Sequence, residues 1–413
     1  RFSLMANHTK AQIDDAVEKL PRIFRKYERI KKKIIFRKMR DITVKEVITK
    51  KDFKAFLKFP YELFKNDKMW VPSLLIDEKT TFDKKKNPAL EFCDYKIFMA
   101  YKDGKAVGRI VGIINTKSNT IWKENRVRFG WFDFIDDKKV SEALLDSVAQ
   151  WGKQNGLNEI VGPMGFTDMD KEGMTVEGFE IDTPMACYYN PSYYPEHMES
   201  LTYRKEVDWV QYQIPASQAV PAKVQRVNNM IKERYNLRIV DELSMSKIAK
   251  RYGMKLFDTI NESFSHLFGY VPLNDAQKKF YINQYFPFLD KRLICLIVDD
   301  KDDIVAFGVS MPSLSKALRK CKGKLFPFGW IHILRALKNF ENIDLYLNGV
   351  KPEWQNKGVH SIYYSEMNNQ YIKLGVKMAI ANPQLETNQA ANIWEKYDSR
   401  IAIRRRAYIK TIE

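Results

Sequence analysis

The segment from Ile343 to His360, IDLYLNGVKPEWQNKGVH, carries the residues needed to hold a phosphate. An extended apolar run breaks at Gly349 and Pro352. A short polar loop follows, and Gly358 leads into a helical pattern that begins at Val359. Strand, tight loop and helix in that order aim several backbone N–H groups at one point, where the positive end of the helix dipole favours an anion. Gly358 has no Cβ, so the backbone can approach the anion closely. Gln355 and Lys357 add side-chain donors, and Lys357 adds charge. The residues expected to touch the anion or its carrier are Asn348, Val350, Gln355, Asn356, Lys357, Gly358, Val359 and His360. An ordinary strand–loop–helix connection can carry the same string, so the flanking elements must decide.

Those elements form a pattern that occurs twice. Ile362, Tyr363, Met367, Tyr371 and Leu374 recur at helical spacing, and Gly375 is a natural helix stop. Val376 to Ala381 reads as a short buried strand. Earlier, Val140 to Leu157 is another helix, with Val140, Ala143, Leu144, Val148 and Trp151 on one face. Gly156 follows Val140 at the interval by which Gly375 follows Val359, and a strand over 158–163 comes next. A hairpin of Ile97–Tyr101 and Ala106–Ile114 precedes the first helix. Its counterpart is Leu293–Val298 with Ile304–Met311. Two weakly similar halves predict a tandem architecture. In the first half the strand Arg126–Ile135 meets its helix through Asp136-Asp137-Lys138. Two carboxylates stand where a phosphate would go, so this copy is expected to be degenerate.

Val350-x-x-x-x-Gln355-x-x-Gly358-x-His360 resembles the acyl-CoA pyrophosphate loop of the GNAT (Gcn5-related) N-acyltransferases. That pattern is Gln or Arg, two residues, Gly, one residue, then Gly or Ala; His360 departs from it. Asn388 and Ala391 resemble the second signature, Asn-x-x-Ala before an aromatic helix. The usual tyrosine falls at Glu395 here, and the usual Gly-Phe ending is Ser399-Arg400. Phe59-Pro60-Tyr61-Glu62-Leu63-Phe64 and Trp70-Val71-Pro72 look like a bacterial tandem subgroup. Some similar proteins are bacterial ceramide synthases, which join an acyl-CoA to a sphingoid base. The resemblance implies a mixed α/β fold of two tandem GNAT-like domains, each a twisted central sheet flanked by helices. Their expected spans are 41–215 and 248–413, with a linker over 216–247 and a basic extension over 1–40. Acyl-CoA is the implied co-substrate, with Asn388 beside it, and no metal is implied. The implied reaction is acyl transfer to a primary amine of a lipid or sphingoid-base type. Two other readings are a Fem-type transferase that uses aminoacyl-tRNA and a non-catalytic module that binds membrane or RNA.

A thioester held at this loop would lie between Asp344–Val350 and Val376–Ala381, where N–H groups near Asn348–Val350 polarise its carbonyl. An attacking amine, protonated at neutral pH, needs a base, and the leaving thiolate needs a proton. Glu386 is the expected base and Tyr397 the expected acid, with Asp344, Tyr346 and Glu395 further catalytic candidates. No Ser-His-Asp or Cys-His arrangement stands out, which favours direct attack.

The chain has 413 residues, 45% hydrophobic, with a net charge of +18. Residues 1–40 hold 13 Lys/Arg against 4 Asp/Glu. They are expected to be an upstream extension before Met39 with no folded role, although their mixed basic and apolar pattern also suits an interfacial helix. Cys93, Cys187, Cys295 and Cys321 are scattered, which predicts a reducing cytoplasm and neither disulfides nor zinc. The second half is longer between equivalent glycines, with the extra material over Ser313–Lys338. Its basic residues flank Phe326, Phe328 and Trp330, so it suits an interfacial helix pair on an anionic inner membrane face, the wall of an acyl tunnel, or a helical hairpin on the core. A loop over Gly162–Tyr194, after a strand end, sets the carboxylates Asp168, Asp170, Glu172 and Glu177 among tyrosines that include Tyr189, with Asn190 beside them. Asp168, Tyr189, Asn190 and Trp330 are the expected substrate contacts, suited to an amine-bearing headgroup. Nucleic acid is not an expected partner.

Overall fold

The computed structural model describes residues 42–215, 219–242, 244–388 and 399–413, together with Thr9, Lys10, Lys19 and Leu20. Most of the basic extension, and the stretch 389–398 that includes Glu395 and Tyr397, therefore lie outside the described residues.

The first half contains β1 (Thr43–Glu46), α1 (Lys50–Leu63), α2 (Leu75–Thr81), β2 (Cys93–Lys102), β3 (Lys105–Asn115), α3 (Thr116–Trp122), β4 (Arg126–Phe134), α4 (Lys138–Gln154), β5 (Glu159–Gly162), β6 (Met174–Glu177), α5 (Tyr193–Ser200) and β7 (Arg204–Pro215). The second contains α6 (Ala222–Tyr235), β8 (Arg238–Ile239), α7 (Met245–Phe264), α8 (Asp275–Tyr285), β9 (Ile294–Val298), β10 (Ile304–Pro312), α9 (Ser315–Cys321), α10 (Gly329–Lys338), β11 (Asn342–Val350), α11 (Val359–Lys373), β12 (Met378–Ala381), β13 (Gln384–Leu385) and β14 (Arg400–Thr411). Both predicted hairpins form, and both crossover helices begin and end within a few residues of their expected bounds. The 216–247 stretch, expected to be a linker, instead carries α6 and β8. Asn228 on α6 donates to Ser365 Oγ (2.8 Å) and Ser361 O (3.2 Å) of α11, and β8 pairs with β9. The sequence reading missed this helix because its apolar face is thin.

In each half a parallel pair, β4–β5 or β11–β12, is joined by a long helix, α4 or α11. Both helices lie close on the sheet because a glycine faces them. A Cβ at Gly108 would sit 2.7 Å from Leu144 Cδ1 of α4, and one at Gly308 would sit 2.3 Å from Met367 Sδ of α11. The far face of the first sheet packs Phe56, Phe82, Trp131 and Phe166, and that of the second packs α7 and α8.

The halves are joined by exchange of their last strands. The backbone order is β1-β2-β3-β4-β5-β14-β7-β12-β11-β10-β9-β8. β14 ends the second half but lies beside β5 of the first, while β7 ends the first half but lies beside β12 of the second. The two exchanged strands pair with each other from Arg400↔Gln213 to Ile409↔Arg204. Gln211 and Arg405 are fully buried at this seam, where Arg405 Nε donates to Gln211 Oε1 (2.6 Å).

Candidate functional site

β11 and β12 run side by side only from Asn342↔Met378 to Leu345↔Ala381. β12 then ends, and β11 continues to Val350 against β10. The register with β10 slips here: Val309 faces Leu347 and Ser310 faces Leu345, leaving Tyr346 as the extra residue of a bulge. The bulge bends β11 and opens a wedge between the two parallel strands. Asn382 sits at its apex, its N–H donating to Leu345 O (2.9 Å) and its amide to Tyr346 O (3.2 Å). Asn382 Oδ1 is buried without a partner among the described residues.

Past the wedge comes the loop singled out in the sequence. Lys351 N–H donates to Val305 O (2.9 Å), and residues 352–354 form a short 3-10 turn. Gln355 Nε2 donates back to Val350 O (3.3 Å). Gly358 begins α11 at φ +77°, and a Cβ there would meet Ile231 Cδ1 at 2.8 Å. The left-handed backbone favours glycine here, and the tip of Ile231 on α6 packs over it. Lys357 points elsewhere than expected, its ammonium lying over the rings of Trp354 (4.7 Å) and Tyr235 (5.6 Å).

A cavity of about 1220 Å³ connects this loop to the first half. Gln355, Asn356 and His360 line one end, and Asn348, Gly349, Val350, Tyr346 and Asn382 line the wedge. Thr387 and Asn388 line it as well. The other end is a carboxylate-rich chamber formed by Asp77, Glu78, Asp168, Asp170 and Glu172 with Lys171, Trp131 and Tyr188. Tyr281 and Tyr285 of α8 reach across from the second half, and Thr167 Oγ1 bonds Tyr281 Oη at 3.0 Å.

The chamber favours protonated carboxyls or an incoming cation. Burial pushes Asp77 and Asp170 up to about 6, and raises Asp168 and Glu172 as well. The neighbouring Arg128 guanidinium pulls Asp168 and Glu172 back down. Asp168 Oδ2 accepts from Val271 N–H (2.9 Å), while Asp168 Oδ1 and Glu172 Oε1 have no partner among the described residues. Lys171, lowered by burial, donates to Ser73 Oγ (2.8 Å).

Several expected site residues lie outside this cavity. Glu386 is held by Lys205 and by Arg404 Nη1 (2.8 Å) at the β7–β14 seam, so both oxygens are engaged. Asp344 is 1% exposed and does not line the cavity, and burial pushes it up to about 7. Tyr189 donates to Asp67 Oδ2, and Asn190 clamps Thr175 through its N–H (2.8 Å) and C=O (3.1 Å). Trp330 stands 46% exposed on α10. Of the four expected substrate contacts, the structure brings only Asp168 to the cavity. Sequence reasoning named Tyr346 and Glu172 but missed Asn382 and the α8 tyrosines. Asn382 and the α8 tyrosines meet the rest of the site only through the tertiary fold.

A Ser-His-Asp chain does exist, although none stood out in the sequence. Ser141 Oγ lies 2.9 Å from His197 Nδ1, and His197 Nε2 lies 2.9 Å from Asp136 Oδ1. Ser141 is fully buried and its hydroxyl donates to Lys138 O, so no substrate reaches it. In the same corner Asp137 caps α4, accepting from Lys139 N–H (3.1 Å). The first half thus fills its own helix N-terminus with a carboxylate. Among the described residues no group of His, Cys, Asp and Glu is placed to hold a metal ion.

No protein-family model matches the chain. It is 28% identical over 323 residues to Protein YghO of Escherichia coli K12, covering 76% of this chain and 79% of that one. It is 27% identical over 322 residues to the bacterial ceramide synthase of Caulobacter vibrioides, covering 76% and 82%. Among solved structures, a tandem GNAT protein from the clavulanic acid biosynthesis pathway superposes with a TM-score of 0.52 at 8% identity, over 90% of this chain and 99% of that one. A GCN5-related glucosamine N-acetyltransferase region of a fungal β-N-acetylglucosaminidase gives 0.51 at 12% identity, over 90% of this chain and 38% of that one. Together with the repeated parallel pair and its crossover helix, these likenesses establish that the chain folds as two GNAT domains in tandem.

Proposed function

We propose that this protein transfers an acyl group from a CoA thioester to the primary amine of a long-chain lipid base. One observation carries the reading: a single cavity joins the Gln355–His360 loop, the β11–β12 wedge and the carboxylate chamber. The loop suits the diphosphate of CoA, through backbone N–H groups and the α11 N-terminus. The wedge suits the thioester, with the edge of β11 that β12 no longer covers beyond Leu345 available to its carbonyl oxygen. The chamber suits an ammonium. Similarity to a protein named bacterial ceramide synthase supports a lipid amine as acceptor.

In this reading Asp168 and Glu172 hold the ammonium, and Asp168 takes its proton. The free amine attacks the carbonyl carbon, so that a C–N bond forms and the C–S bond breaks. Tyr346, whose phenol burial raises well above its ordinary value, is protonated at neutral pH; it passes its proton to the departing thiolate and is reprotonated by the second proton that the attacking nitrogen sheds on becoming an amide. The products are an amide and CoA thiol.

Thermal-shift titration with CoA and palmitoyl-CoA tests the loop. We expect both to raise Tm, palmitoyl-CoA more, and Gly358→Asp to abolish the shift without moving the ligand-free Tm by more than a few degrees. Mass spectrometry of products from palmitoyl-CoA and sphinganine tests the acceptor. Stabilisation by tRNA in place of CoA would instead favour an aminoacyl-tRNA transferase.

A further inference from the structure

The 313–338 insertion is a helical hairpin with two different faces. Its inner face is core: Leu314, Ala317, Leu318 and Ile333 pack on Val71 and Met311. It is also tied to the first half. Arg319 makes two bonds to Asp182 (2.7 and 2.8 Å), Ser315 Oγ donates to Thr183 O (2.8 Å), and Leu75 N–H donates to Gly323 O (3.0 Å). The hairpin is therefore rigidly placed.

Its outer face has no use in that packing. Phe326 is 82% exposed, Phe328 69%, and Trp330 and Leu334 are close to half exposed. An apolar tip of this size is unfavourable in water. It is surrounded by exposed Lys316, Lys320, Lys322 and Lys324, none of which forms an ion pair with a described residue. Residues 313–338 contain 7 Lys/Arg and no Asp/Glu. Aromatic tips within a wholly basic collar match a layer that is apolar inside and anionic outside. Either feature alone would suit other partners, but the combination selects a lipid surface. The neighbourhood agrees: Ile76, beside the Leu75–Gly323 bond, is 56% exposed, and Phe288, beside Leu289 of the same core cluster, is 54% exposed. Leu74, Asp77, Tyr285 and Leu289, flanking these two, line the cavity. No helix among the described residues is long and apolar enough to cross a membrane.

We propose that the outer face of the 313–338 hairpin docks on an anionic bilayer, inserting Phe326, Phe328 and Trp330 among the headgroups. This sets the adjoining cavity wall at Asp77 and Tyr285 against the lipid. An amine-bearing lipid then reaches the carboxylate chamber without crossing water, a step that rests on the acyltransferase reading; the docking itself does not.

The test is co-sedimentation of the full chain with vesicles of phosphatidylcholine containing 30% phosphatidylglycerol, and with pure phosphatidylcholine vesicles. We expect binding to the former, weakened by salt, and little to the latter. Phe326→Ser/Phe328→Ser and Lys320→Glu/Lys322→Glu/Lys324→Glu should each weaken partitioning by about tenfold or more while leaving Tm unchanged. Acylation of a short, water-soluble amine should be the same in both variants. Failure of the unmodified chain to bind anionic vesicles, or equal binding by the Phe variant, overturns the proposal. So does a dimer in sedimentation velocity that the Phe changes dissociate, which would assign the tip to a second copy. Vesicle binding with no acylation of any amine would leave the docking intact and remove the enzymatic reading.

Discussion

At the scale of residues, the buried carboxylates give the sharpest expectations. Asp344 has a folded-state value raised by burial to about 7, above its unfolded value. Its contribution to stability is therefore complete below the unfolded value near pH 4 and is lost as pH rises through about 7. Denaturant unfolding at pH 4 and pH 8 should show Asp344→Asn gaining roughly 2–4 kcal/mol on the unmodified chain between the two pH values. An unchanged difference would mean that Asp344 is solvated. Asp168 is also raised, but it faces the cavity. If it accepts the amine proton, kcat/KM should climb with pH above the ordinary carboxylate range. Asp168→Asn should then cost about 10²–10⁴ in kcat/KM and flatten that limb. A steady-state pH profile checks both outcomes.

At the scale of elements, a buried ion pair binds α1 to the first sheet. Arg109 on β3 donates to Asp133 Oδ2 on β4 (2.7 Å) and to Phe56 O on α1 (3.1 Å), and Arg109 also lies over the Phe56 ring. Arg109→Ala leaves Asp133 alone in the core and should cost about 3–5 kcal/mol by denaturant unfolding. Loss of the exposed Lys96–Glu46 pair should cost less than about 1 kcal/mol. The hairpins, the two crossover helices and the parallel strands were readable from the sequence. Hairpins follow from alternation and a tight turn, and α4 and α11 from strong helical periodicity with a glycine stop. α6, α7 and α8 were not read, because each packs one face on partners distant in the chain.

At the scale of the molecule, strand exchange makes the halves interdependent. Residues 42–215 alone would lack β14, leaving β5 and β7 with open edges, and the second half alone would lack β7 beside β12. Exposed edges of this kind aggregate. Each half expressed alone should be insoluble, and co-expression should recover a soluble complex, as read by size-exclusion chromatography. Independently soluble, folded halves would contradict this interdependence.

The sequence by itself determined the doubled pattern and the loop at Gly358, because both rest on local rules: periodicity, turn chemistry and the backbone freedom of one glycine. It also set Asp168 in the loop that follows a strand end, and that loop lines the cavity. Only the tertiary structure decided which carboxylates meet the cavity. Glu386 and Asp344 lie near the wedge in sequence, yet one is spent on ion pairs at the seam and the other is buried without lining the cavity. Side-chain direction and long-range pairing, not proximity along the chain, select the groups that can face a substrate.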